Sequence, residues 1–126
     1  MRDFYSNIAT VQAVTPAVQS ASVNGAAVDL KDTTRAVIVL NTGAVAGSGD
    51  FSAKVQESDD GSTGWADADA DHVTSDAPAT LEATSAYRLG YHGHARFIRL
   101  VLTKAGGTSI AAGAVAVLDP LDKPVA

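Results

Sequence analysis

The chain has no cysteine, which excludes disulfide bonds, thiolate catalysis and cysteine-ligated zinc. Basic residues are scarce. Nine Lys and Arg face fourteen Asp and Glu, giving a net charge of -5 and a pI near 4.9. A nucleic-acid binder needs a basic face to neutralise phosphates, and these few cations are scattered, so that class is set aside. Aromatics are few as well: one Trp, three Tyr and three Phe, each therefore an expected packing anchor. No apolar run approaches the ~20 residues that a membrane-spanning helix requires. Met1-Arg2-Asp3-Phe4-Tyr5 lacks the apolar core of a signal peptide, so a soluble protein made in a cytoplasm is expected. Helical periodicity is missing too: no long stretch carries an apolar stripe at a spacing of 3.6.

What the chain does have is alternation. In Ala86–Thr103, Tyr87, Leu89 and Tyr91 alternate with Arg88, Gly90 and His92, the period of a half-buried strand. Arg96 to Thr103 follows, apolar on both faces as an interior strand would be. Between them His92-Gly93-His94 reads as a tight turn, with Gly93 free to take positive φ, so a hairpin is expected. Arg35–Asn41 is mostly β-branched and reads as a buried strand. Phe51, Ala53, Val55 and Glu57 share one face of another strand, Val28 and Leu30 lie on a short one, and Ile110–Leu118 reads as the last. Val23-Asn24-Gly25-Ala26 holds the strongest turn signal, and Lys31–Thr34 and Asp59-Asp60-Gly61-Ser62 are further turns. Pro16 marks an edge strand or an arm. Ala66–Ala83, acidic and alanine-rich, reads as a surface excursion with one short strand near Thr80–Ala83.

These signals together predict an all-β fold: a single antiparallel β-sandwich, jelly-roll or Ig-like, of seven to eight short strands. One domain of 126 residues is expected, with an N-terminal arm at about 1–15 and a C-terminal tail at about 119–126. The expected core comprises Val37, Val39, Phe51, Val55, Trp65, Leu89, Ile98, Leu100, Val115 and Val117.

Candidate chemistry is thin. Asp67, Asp69 and Asp71 alternate like the start of a calcium loop, but His72 and Pro78 stand where that loop needs glycine and glutamate. His92 and His94 flank a glycine while His72 lies elsewhere in the chain, so a third ligand for zinc is not in view. Glu57 with Asp59 or Asp60 offers paired carboxylates of the kind glycoside hydrolysis uses, yet at a strand end entering a turn. Gly43, Gly47 and Gly49 precede no helix that could cradle a phosphate. The expectation is a protein without enzymatic activity, cofactor or required metal.

Function comes from resemblance. FSAKVQESDDGSTGW (Phe51–Trp65), then YRLGYHGHARFIRLVLT and AVAVLDPLDKP, resemble a group of small tailed-phage and prophage virion proteins of the capsid decoration (cement) type. The likeness covers Val55–Pro124 and is weak before it. It implies a protein that binds the outer capsid surface and stabilises the head, with the major capsid protein as partner. It also implies a homo-oligomer, trimer favoured, located on the virion. No membrane partner is expected. Phe4 and Tyr5 are then interface candidates on the arm, and Arg96 and Arg99 as bidentate carboxylate donors within the domain or across an interface. The alternative is a carbohydrate-binding or adhesive β-sandwich of a phage tail or fibre, with Trp65, Tyr87 and Tyr91 as its aromatic platform.

Overall fold

The computed structural model describes residues 3–121, and these form two antiparallel sheets packed face to face. Ten strands run in the order β1 (Ala9–Gln19), β2 (Val23–Asn24), β3 (Val28–Asp29), β4 (Thr33–Ala46), β5 (Asp50–Ser58), β6 (Ala66–Asp67), β7 (Val73–Ser75), β8 (Ala86–Tyr91), β9 (Phe97–Gly106) and β10 (Ser109–Pro120). The first sheet has the order β1-β10-β4-β8-β7; the second runs β2-β9-β5-β6, with β3 also on β9. The expected sandwich is therefore present. The strand count exceeds seven or eight because β2, β3, β6 and β7 are pairings of only two or three residues.

The core lies where the sheets face each other. Phe51, Ile38, Leu40, Ile98, Leu100 and Leu102 are fully buried, and Val55 and Leu89 nearly so. β9 supplies most of the bulk because it is central in its sheet, paired to β5 along one edge and to β2 and β3 along the other. Opposite it, β10 turns Ala112, Ala114 and Ala116 inward. A rung of alanines leaves room for the large β9 residues and for the Tyr87 and Tyr91 rings, so large side chains of one inner face meet small ones of the other.

Four expected core residues face the other way. On β4 the inward set is Ile38, Leu40 and Thr42, and on β10 it is Ile110, Ala112, Ala114, Ala116 and Leu118. Val37, Val39, Val115 and Val117 occupy the outer face, Val115 at 41% exposure. Strand period leaves two parities to choose between; β4 turns Ile38 and Leu40 inward, β10 its alanines, and both turn their valines outward. Trp65 is also not in the core; it is half-buried on the outer side of the second sheet.

The expected hairpin over Ala86–Thr103 is an arch. β8 belongs to the first sheet and β9 to the second, so residues 92–96 carry the chain across the sandwich. Gly93 does not use positive φ; a Cβ there would meet the Tyr91 hydroxyl at 2.4 Å, so glycine is needed for close approach. Gly25 behaves alike. Asn24-Gly25 is no hairpin turn but a crossing point, where a Cβ would meet the carbonyls of Ala13 and Leu100 at 2.6 Å. The Gly25 and Ala26 amides donate to Leu100 and Ala13 there. The turn at Lys31-Asp32 does form, with Asp32 at φ 57° and the Thr33 amide donating to Leu30.

The expected arm is largely strand. Ala9–Gln19 pairs with β10 from Ala9↔Leu118 to Gln19↔Ile110, and only residues before Ala9 precede the sheet. Register shifts at Ala13 and at Thr15-Pro16 let the consecutive Ala13 and Val14 both be buried. Pro16 lies across Gly113, where no side chain obstructs it, and its missing amide hydrogen suits an edge strand. At the other end β10 continues through Asp119 and Pro120, so the tail does not begin at 119, and residues 122–126 of it lie outside the described residues. No strand forms near Thr80–Ala83. Instead Leu81 is 2% exposed, plugs the core beside Phe51, and donates its amide to the Phe51 carbonyl.

Candidate functional site

The Phe51–Trp65 motif is a hairpin whose turn is held from inside. Ser58, on β5, is buried and bonds the Thr63 carbonyl while accepting from the Asp60 and Gly61 amides. The Asp60 carboxylate accepts from the Thr63 amide and hydroxyl and from the Ser62 amide, which holds it well below the usual carboxylate range. Gly61 takes φ 78° and a Cβ there would touch the Phe97 ring at 2.9 Å, so only glycine fits both demands. The Asp60 carboxylate is thus engaged by the amides and hydroxyls of its own turn.

Glu57 points the other way. It faces the sandwich interior, where the Tyr91 hydroxyl donates to it at 2.8 Å and itself accepts from the Ala95 amide. Burial, helped by the Glu57 carboxylate, pushes the Tyr91 phenol up to about 12. The neutral form is therefore favoured in the folded state, and ionisation near pH 10 in the unfolded chain pulls the equilibrium towards unfolding. Stability should fall by about 2 kcal/mol as pH rises from 10 to 12. Denaturant unfolding of wild type and Tyr91→Phe across that range checks this; the variant should lack most of the fall.

The acidic run does not gather. Asp67 pairs with Lys54 and Gln56 on the outer side of the second sheet, while Asp69 caps the 3-10 turn Ala70–His72 by accepting from the Asp71 amide. Histidines, by contrast, are brought together by the fold. The His72 and His94 rings meet edge to face at 5.7 Å, the His92 amide donates to the His72 carbonyl, and His92 Nε2 lies 3.3 Å from the Thr74 hydroxyl. Sequence separation hides this pairing, because β7 and the arch after β8 become neighbours only when the sheet forms. Among the described residues no group of three His, Asp or Glu side chains is placed to hold a metal ion.

Arg96 and Arg99 both have partners within the domain. Arg96 clasps Asp29 through two bonds of 3.1 Å and lies 5.0 Å from the Phe97 ring centroid, linking the arch to β3. Arg99 lies 4.4 Å over Trp65 and gives two hydrogen bonds to the Gln56 side-chain carbonyl. A ladder from Trp65 through Arg99, Gln56 and Asp67 to Lys54 thus covers the outer side of the second sheet. Tyr87 and Tyr91 are buried, and the Tyr87 hydroxyl accepts from the Glu82 amide, so neither ring joins Trp65 on the surface.

Phe4 and Tyr5 are placed differently from all of these. Asp3 accepts from the Tyr5 amide and the Ser6 hydroxyl, and Asn7 donates both to Phe4 and to Asp3, locking a 3-10 turn over Tyr5–Asn7. The turn holds both rings outward, Phe4 at 74% and Tyr5 at 83% exposure. Phe4 borders a groove of about 330 Å³ with Ile8, Val37 and Val117. Beyond it on the same side, a shallower groove of about 580 Å³ runs past Val39, Val115, Pro16 and Val18. One continuous apolar surface therefore extends from the N-terminal turn across the first sheet. Its tip, Phe4 and Tyr5, is visible in the sequence; its body is not, because Val37, Val39, Val115 and Val117 fit the strand period on either face and the fold turns them outward, not into the expected core. No protein-family model matches the chain, and neither does any curated protein or any solved structure.

Proposed function

We propose that the protein is a structural binding module that decorates the outer surface of a phage capsid, made in the host cytoplasm and carried on the virion. The observation that carries this reading is the pair of aromatic rings held outward on a hydrogen-bonded turn. A locked turn loses little further entropy when its rings enter a partner's pocket, and aromatic side chains are the usual anchors of interfaces. The motif resemblance supplies the partner, the major capsid protein. Many copies on one lattice also gain from multivalency.

A glycan-binding role for a tail or fibre component is less well supported. It needs several aromatic faces side by side, and Trp65 is covered by Arg99 while Tyr87 and Tyr91 are buried.

Binding to undecorated capsids tests the proposal. Truncation to residue 15 would remove Ala13 and Val14 from the core, so the cut belongs before Ala9. Phe4→Ser with Tyr5→Ser should weaken binding by roughly 30-fold or more per anchoring ring, since each is expected to contribute about 2 kcal/mol. Full-length protein that leaves capsid occupancy and capsid heat resistance unchanged would overturn the proposal.

A further inference from the structure

The basic residues of this acidic chain are not spread evenly. A groove of about 420 Å³ lies between the turn after β3 and the arch of residues 92–96. Small-molecule sites occupy roughly 300–1,000 Å³, so the groove is of that size. Lys31 and Arg35 enter it from the turn and the start of β4, and Arg96 from the arch. Three of the nine Lys and Arg therefore meet here, with His92 and His94 beside them. None of the described Asp and Glu residues lines the groove, although the chain has fourteen acids. Its floor is apolar: Leu30, Ala36 and Ala95 pack on the core there, next to Tyr91.

We infer that this groove binds a small organic molecule through an oxyanion group, a carboxylate or a phosphate, with the apolar part of the ligand on the floor. Three observations carry this. The first is the supply of donors. Arg96 uses Nε and Nη2 on Asp29, and Arg35 uses the same two nitrogens on Asp119, so each guanidinium keeps Nη1 without a partner among the described residues. Lys31 forms no ion pair among them at all. Asp29, Asp32 and Asp119 lie nearby and balance charge, but they do not line the groove, so a ligand there meets donors and not acceptors. Guanidinium and ammonium groups are the usual partners of such oxyanions. The second is rigidity. The Leu30 amide donates to the Arg96 carbonyl at 2.7 Å, which joins the two walls, and the Tyr91 hydroxyl holds the Ala95 amide. His92 Nε2 lies 3.3 Å from the Thr74 hydroxyl, and the His94 ring packs edge to face on His72. Donors already held in place need little further ordering on binding. The third is the floor. A bare ion would leave Leu30, Ala36 and Ala95 facing water, whereas a ligand with an apolar body covers them. This inference is independent of capsid binding, since the isolated chain contains the whole groove.

Titration of the full-length chain with phenyl phosphate, benzoate, inorganic phosphate and phenol, followed by NMR of the three histidine rings, tests it. Phenyl phosphate or benzoate should bind saturably and shift the His92 and His94 signals. The tighter of the two names the anion, phosphate or carboxylate. Lys31→Gln with Arg35→Gln should weaken that binding by about 10–100-fold. Both side chains are exposed, so the double variant should keep the fold, which circular dichroism verifies. Lys104→Gln, at the far end of β9, should bind as wild type does. Absence of any shift at His92 and His94 up to about 10 mM of either anionic probe overturns the inference. Binding that survives the Lys31 and Arg35 substitutions, or that Lys104→Gln weakens equally, also overturns it. Phenol bound as tightly as the anions removes the oxyanion, and inorganic phosphate bound as tightly as phenyl phosphate removes the role of the floor.

Discussion

Phe51→Ala is expected to destabilise the domain by about 3–5 kcal/mol, a large share of the roughly 5–15 kcal/mol typical of whole domains. Phe51 is 0% exposed, and Leu81 closes over that part of the core with its amide bonded to the Phe51 carbonyl. Between Ile110 and Leu118 the inner row of β10 is alanine, which has no side-chain length to move into the space. A rigid, small-residue wall relaxes poorly, so most of the cavity should persist. Urea unfolding followed by circular dichroism gives the difference directly. A loss under about 1 kcal/mol would mean that Phe51 is not enclosed. Ile98→Ala, also at 0% exposure but flanked by Val28 and Glu57 in its sheet, should cost about 2–5 kcal/mol.

The second large effect is a contrast between neighbours. Ile38→Ala should cost about 2–5 kcal/mol, whereas Val39→Ala should cost under about 1 kcal/mol in the monomer. Ile38 is fully buried between the sheets, and Val39 sits on the outer face beside Val115. The reverse ranking would restore the opposite parity for β4 and remove the apolar outer face with it.

Phe4 borders the groove that includes Val37 and Val117, which share the outer face of the first sheet, so the N-terminal turn and these valines belong to one surface.

Local pattern alone determined the all-β class, the inward face of β5 with Phe51 and Val55, the inward Leu89, Ile98 and Leu100, and the turn at Asp59–Ser62. In each of these, alternation or Asx-turn chemistry acts within a few residues and has one solution, Arg99 and Thr103 marking the outer face of β9. The same pattern could not tell a hairpin from an arch at residues 92–96, because a strand alternates identically whichever sheet it joins. It could not assign Gly25 and Gly93, whose missing side chains make room for backbone and a ring from distant segments. Nor could it choose the parity of β4 and β10, where both faces carry apolar residues and only the opposing sheet selects Ile38 and Leu40 on β4 and the alanines on β10 as the inner row. Meeting of His72 with His94, the clasp of Arg96 on Asp29 and the cover of Arg99 over Trp65 also arise across chain separations that local spacing does not encode. Phe4 and Tyr5 were legible as interface candidates near a terminus; that Phe4 borders an apolar groove was decided by the register of β1, β10 and β4, because only cross-strand pairing sets which side chains share a face.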